Sequence, residues 1–338
     1  MSVSRTFMIT LVLIASASVA VNDARPQSGG GGVFGLRHSL DPVSPELFPV
    51  PPAPADQSGA HVFGGICDGA LDCLPPVPYL TPPMLGLVLA DNIDSFSPGV
   101  APATTFPPPA GNDLVVHFSV TLASAGANPV IMAEVGGNGA ASDIFLLRYP
   151  GPVLAQFADG VAPPWPFLGL QPNSDVDGWA WVAPPGNPQA YFTLDAPTAA
   201  VYAVSPADVF WAGIGGLFAT EAALGLVTGD NIDALSVHQI ANAPVWEPGE
   251  VVYFSLRPGC PTLVANGWSP ADILAVTFGG VPFVWAPAGA LGLLPTDDVN
   301  ALQIFDPPPA VPSLSGIGVA LCAILLAALA VFTILRRA

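Results

Sequence analysis

Lysine is absent from the 338 residues, and all seven basic side chains are arginine. Phosphate-cradling P-loops, Schiff bases and lysine bases are therefore excluded, since each needs an amine. Charge of either sign is scarce at 9%, and it is lopsided: 25 acids stand against the seven arginines, for a net charge of −18. Such a chain cannot neutralise a phosphate backbone, so nucleic acid is not a partner. Histidine is limited to His38, His61, His117 and His238, with no HExxH pair, and no G-x-S-x-G elbow occurs. The residues form no catalytic constellation of unlike partners. Apolar residues make up 51% of the chain, which is too many for disorder driven by charge. Proline and glycine are abundant, at 41 and 35.

Both ends carry targeting patterns. Arg5 precedes an apolar stretch at residues 6–15, and Ser18-Val19-Ala20 ends in small residues, so residues 1–20 read as a cleaved signal peptide. At the other end, residues 317–335 are continuously apolar and Arg336 and Arg337 follow directly. A run of 19 residues is long enough for one transmembrane helix, with the basic stop on the cytoplasmic side. The expected divisions are a Pro/Gly-rich N-terminal stretch over 21–80, either a flexible arm or an elaborated first unit, and a repeat-built β domain over 81–306. A Pro-rich spacer with a sorting motif follows over 307–315, then a transmembrane helix with its tail over 316–338.

The residues before that helix, Val311, Pro312, Ser313, Leu314 and Ser315 with Gly318, resemble the Ile-Pro-Thr-Leu-Ser motif of IPTL-CTERM sorting signals, a class related to PEP-CTERM. The resemblance implies an exosortase-type processing enzyme as partner and a precursor anchored in the inner membrane of a Gram-negative bacterium. It further implies removal of the helix, then release to the cell surface or the extracellular space.

Between the ends the chain repeats itself. One twelve-residue phrase reads LGLVLADNIDSF at 85–96, LGLQPNSDVDGW at 168–179, LGLVTGDNIDAL at 224–235 and LGLLPTDDVNAL at 291–302. An aromatic-hydroxyl phrase recurs as HFSVTL from His117, YFTLDA from Tyr191 and YFSLRP from Tyr253. A third holds Asp143, Asp208 or Asp272 after a small residue. Short aromatic and β-branched runs separated by Pro and Gly read as strands. The fold class expected is all-β: tandem units of about four strands, propeller-like or a pseudo-symmetric sandwich or barrel. Proline argues against long helices. Brief helical turns are expected only near 220–226 and 286–293.

The repeated acids admit two readings. Asp91, Asp94, Asp175, Asp177, Asp230, Asp233, Asp297 and Asp298, with Asn92, Asn231 and Asn300 among them, have the oxygen chemistry that calcium needs. The same residue types cap turns that enter strands by accepting backbone N–H groups. The acids at 143, 208 and 272 read as repeated strand-edge contacts. Cys67 and Cys73 are spaced for a local disulfide in an exported protein, leaving Cys260 as an odd thiol. The six tryptophans from Trp179 to Trp285 serve either as core or as a sugar-stacking surface. Three roles follow: a structural or adhesive surface protein, a lectin-like module binding calcium or surface polysaccharide, and, with least support, a secreted hydrolase.

Overall fold

A computed structural model of the chain describes residues 34–40, 61–67, 77–98, 114–137, 139–149, 153–159, 168–182, 189–211, 214, 216–238 and 246–305. All belong to the compact unit Gly31–Pro307. The signal peptide, the sorting motif from Val311 to Gly318, the apolar C-terminal run and Cys73 lie outside the described residues, as does the Cys67 side chain. Among the described residues no helix is long and apolar enough to cross a membrane.

The protein is mostly β, and the described residues form four sheets of four antiparallel strands. One sheet runs β4 (Ile93–Pro98), β5 (Leu114–Val120), β6 (Ile144–Tyr149) and β7 (Val153–Ala158). The next runs β8 (Val176–Val182), β9 (Gln189–Leu194), β10 (Val209–Trp211) and β11 (Leu217–Ala219). A third runs β12 (Ile232–His238), β13 (Val251–Leu256), β14 (Ile273–Thr277) and β15 (Phe283–Ala286). The fourth is closed from both ends of the unit. Its first strand, β16 (Val299–Phe305), pairs with β1 (Phe34–Leu40), followed by β2 (Val62–Cys67) and β3 (Val77–Leu80). Within the stretch read as an arm or an elaborated first unit, residues 34–40, 62–67 and 77–80 contribute three strands of a full sheet.

The first strands of the sheets, β4, β8, β12 and β16, pack against one another in a closed cycle. Four apolar clusters fill the spaces between successive sheets. Phe96 and Phe118 meet Val62 and Leu80; Trp179 and Phe192 meet Ile144 and Ala158. Leu235 and Phe254 meet Tyr191 and Val209; Leu302 and Phe63 meet Ile273 and Tyr253. Each fully buried large side chain contributes about 2 kcal/mol, so the core is shared around a ring and belongs to no single sheet. Among the described residues the four sheets thus form a propeller-like ring.

The repeated phrases explain the closure. In all four copies of LGL the two leucines are buried, and Gly86, Gly169, Gly225 and Gly292 adopt φ of 71 to 75°. That left-handed conformation is available to glycine at no steric cost, and at Gly86 and Gly292 it ends the helical turn that precedes the first strand. The hydroxyl of the aromatic-hydroxyl phrase forms a latch between sheets. Ser119 donates to the Val176 carbonyl, Thr193 to Ile232 and Ser255 to Val299, each from a second strand to the next sheet's first strand. Ser39 in β1 donates in the same way to Ile93, completing four latches and marking a fourth copy of the phrase that the sequence comparison passes over.

Helices exceed the expectation. Besides the 3-10 turn at Ala288–Leu291, there are α1 (Pro82–Leu85), α2 (Pro129–Gly137), α3 (Ala196–Tyr202) and α4 (Pro261–Asn266). Proline stands in the first turn of α1, α3 and α4. There its missing N–H costs nothing and its fixed φ favours helix initiation, so proline starts these helices, and left-handed Gly86, Ala203 and Gly267 end them.

Candidate axial site

The last acidic or amide position of the twelve-residue phrase is held by Asp94, Asp177, Asp233 and Asn300. At each of these four residues the pairing between first and second strand slips. Ile93 pairs with Val120 but Ser95 with Ser119; Val176 with Leu194 but Gly178 with Thr193. Ile232 pairs with Leu256 but Ala234 with Ser255, and Val299 with Leu40 but Ala301 with Ser39. The skipped residue is a β-bulge, which bends the strand and re-aims one side chain. In a regular strand Asp233 would share a face with Leu235 and Val237. The bulge frees it from the apolar face.

The bulged residues line a cavity of about 240 Å³ at one end of the ring. Two positions earlier in the phrase, Asn92, Asp175 and Asp298 line it too. Asn231, their equivalent, donates its amide to the Asp177 carboxylate at 3.0 Å. The rim is built by residues that directly follow a second strand: Thr121 after β5, Asp195 after β9 and Arg257 after β13. Their N–H groups are anchored alike, on the carbonyls of Asn92, Asp175 and Asn231. Asp195 also caps α3 through the Thr198 N–H at 2.9 Å.

Six carboxyl groups and one guanidinium therefore share the cavity. Burial pushes the Asp94 carboxyl well above the usual range, and the charges of Asp175 and Asp177 push it further. Asp177 is raised by burial and then by Asp233 and Asp175. Asp175 is raised to about 7, by burial first and then by Asp195, and its carboxyl is within hydrogen-bonding reach of Asp94. Burial disfavours the charge of Arg257, but Asp233, Asp177, Asp298 and Asp195 more than offset that and raise its pKa.

Many oxygens here lack a partner. Asn92 Oδ1, Asp94 Oδ2, Asp175 Oδ1, Asn231 Oδ1 and Asn300 Oδ1 are buried and accept no hydrogen bond. The residues Asn92, Asp94, Asn231 and Asn300 are each at most 7% exposed. An unsatisfied buried acceptor costs roughly 1–3 kcal/mol, so a cluster of them needs an explanation. Among the described residues no three His, Cys, Asp or Glu side chains are grouped closely enough to hold a metal ion by themselves. The oxygens gathered here come from amides as well as carboxylates.

The structure divides the eight acids offered as calcium ligands. Asp94, Asp175, Asp177, Asp233 and Asp298 converge on the cavity. Asp91, Asp230 and Asp297 do not line it; they cap turns. Asp91 accepts from the N–H groups of Val88, Ala125 and Gly126. Asp230 accepts from Val227 N–H and from the Thr262 N–H and hydroxyl, and Asp297 from Leu294 N–H. Position in the phrase separates the two groups: Ser174 replaces the capping acid in one copy, while the two cavity positions are Asp or Asn in all four. Asp195 and Arg257 lie outside the phrase, and only the folded chain brings them in.

The remaining candidates are structural. Asp208 caps its own turn at Ser205 N–H and holds Glu221 N–H; Asp272 does the same with Ser269 and Ala288. Asp143 accepts from the Gln156 amide. Cys260 is buried, takes a hydrogen bond from Asn231 N–H, and burial pushes its thiol up to about 11. Trp179 and Trp246 are core residues, while Trp181, Trp211, Trp268 and Trp285 are half-buried.

No family model and no curated protein matches the chain. Two solved structures bear a distant likeness. A fucose-specific lectin from Aleuria aurantia, as a mercury derivative, shares 12% identity at a TM-score of 0.24, over 67% of this chain and 53% of its own. A second structure of an Aleuria aurantia lectin, described as a six-bladed β-propeller with a novel fucose recognition mode, shares 10% identity at 0.23, over 67% and 52%. The chain thus spans about half the length of either lectin, and neither superposition is close enough to carry over a ligand.

Proposed function

We propose that the protein is an exported surface module whose axial cavity binds one hard divalent cation, calcium, in support of a structural or adhesive role. The observation that carries the calcium reading is the fourfold bulge, which turns Asp94, Asp177, Asp233 and Asn300 inward beside buried oxygens that have no donor. Acceptor-only groups that burial and mutual repulsion make costly are relieved by an oxygen-seeking cation. Four equivalent strands offer ligands in two tiers, which matches the six to eight oxygens that calcium accepts better than the strict octahedron of magnesium. Inward rotation of the carboxylates, with water and the Asn92 and Asn300 amides, completes the shell. Isothermal titration of EDTA-treated protein with CaCl₂ tests this: one site is expected, with much weaker heat from MgCl₂. No calcium heat and no rise in Tm would refute it.

The route to the surface rests on the signal peptide and the IPTL-CTERM-like tail, with an exosortase-type enzyme as processing partner. A mature protein that still carries Arg336 and Arg337 by mass spectrometry would overturn processing. A lectin-like role with surface polysaccharide as ligand is the second reading. It is favoured by the half-buried Trp181, the one member of the Trp179, Trp181, Phe157 and His117 ring cluster that combines an indole with partial exposure. Glycan-array binding lost in Trp181→Ala would support it, and a blank array would remove it.

A further inference from the structure

Arg257 is the one basic residue that lines the cavity among the described residues, and it stands where the neighbouring blades carry Thr121 and Asp195. The backbone N–H is anchored alike at all three positions, while the side chains there are neutral, negative and positive. The residue is exposed, which leaves its long side chain a free path from the carboxylates to solvent. A guanidinium cannot enter the inner tier, where the bulged acids are almost fully buried, but it offsets part of their charge from the rim. A divalent ion among the same carboxylates meets that positive charge at close range, where repulsion is poorly screened.

We propose that Arg257 is a tethered counter-ion that competes with the cation: ion entry pushes its guanidinium from the rim out toward solvent, and Arg257 thereby sets the affinity of the site. The inference rests on the calcium reading. With Arg257 in place the ion-free cavity tolerates its acids, and calcium must enter against the charge of the guanidinium. Without it the carboxylates are unbalanced, and the ion gains their full attraction.

Titration of the EDTA-treated full chain with CaCl₂ provides the test. Arg257→Gln keeps the length and polarity and removes the charge; it is expected to bind calcium at least about tenfold more tightly, while its ion-free form melts lower. Arg257→Lys keeps the charge and is expected to stay within about threefold of the natural protein. Thr121→Arg places a second guanidinium on the equivalent rim position and is expected to weaken binding by about tenfold or more. Equal or weaker binding in Arg257→Gln, with calcium still bound by the natural protein, overturns the competition and leaves the calcium site standing. Absence of binding in both the natural protein and Arg257→Gln overturns the two together.

Discussion

The Ser255 hydroxyl donates to the Val299 carbonyl at 2.6 Å, and both groups are buried. This bond joins β13 to β16, the strand that in turn pairs with β1, so it lies on the path that closes the ring from both ends of the unit. A buried hydroxyl–carbonyl bond contributes about 1 kcal/mol net, and removing the donor strands a carbonyl. Ser255→Ala is expected to lower stability by about 1–2 kcal/mol in urea unfolding, and Ser119→Ala by a similar amount. A change under about 0.3 kcal/mol at both sites would deny the latches a role in closure.

Where the other blades pair Ser with Ser or Ala, one blade pairs Thr193 with Gly178. A Cβ at Gly178 would meet Thr193 Oγ1 at 2.6 Å and Leu235 Cβ at 2.9 Å. Gly178→Ala is therefore expected to cost about 1–3 kcal/mol by overpacking. Adding Thr193→Ser frees the hydroxyl to rotate, restores the pairing used elsewhere, and should recover part of the loss in a double-mutant cycle.

Two sets of acids should respond differently to amide substitution. Asp177→Asn and Asp233→Asn are expected to weaken calcium binding by at least about tenfold with a neutral or favourable effect on ion-free stability, because they remove a repelled buried charge. Asp230→Asn keeps one acceptor but loses part of its grip on Val227 and Thr262. It should lower stability by about 1–2 kcal/mol and leave calcium affinity within about threefold. Parallel titrations and melts of the three variants separate ligands from caps.

The acids and His117 give opposite pH dependences. Asp175 binds its proton more tightly in the folded state, with a pKa of about 7, so the folded state holds more protons than the unfolded from about pH 4 to 7. Ion-free stability therefore falls as pH rises through that window. Burial lowers His117 to about 3, so below about pH 6.5 the unfolded state takes the extra proton and stability falls as pH drops. Asp175→Asn should flatten the first slope. His117→Tyr, which installs the residue that Tyr191 and Tyr253 provide in the equivalent strands, should flatten the second. Urea midpoints from pH 4 to 8 in EDTA read both.

Cys260 should resist thiol labelling in the native state, since its sulfur is buried, bonded to Asn231 and raised to about 11. Peptide mapping after iodoacetamide treatment should show modification of Cys260 only once denaturant is added.

The sequence alone determined the unit of construction. Phrases such as LGLVTGDNIDAL repeat because each blade needs the same left-handed glycine, the same buried leucines and the same turn cap, and those are local requirements of the backbone. The strand character of HFSVTL and VVYFSL was legible for the same reason, and so was the choice between cap and ligand for the repeated acids, although not its answer. The tertiary structure alone decided three matters. Ring closure was hidden because β1 and β16 lie far apart in the chain, and RHSLDP lacks the aromatic that marks the other copies. The short helices were hidden because a proline that forbids a helix interior begins one at its first turn. The axial cavity was hidden because a bulge is a matter of pairing between two strands, so no single strand's alternation shows which aspartate turns inward; only with four strands side by side do Asp94, Asp177, Asp233 and Asn300 become one site.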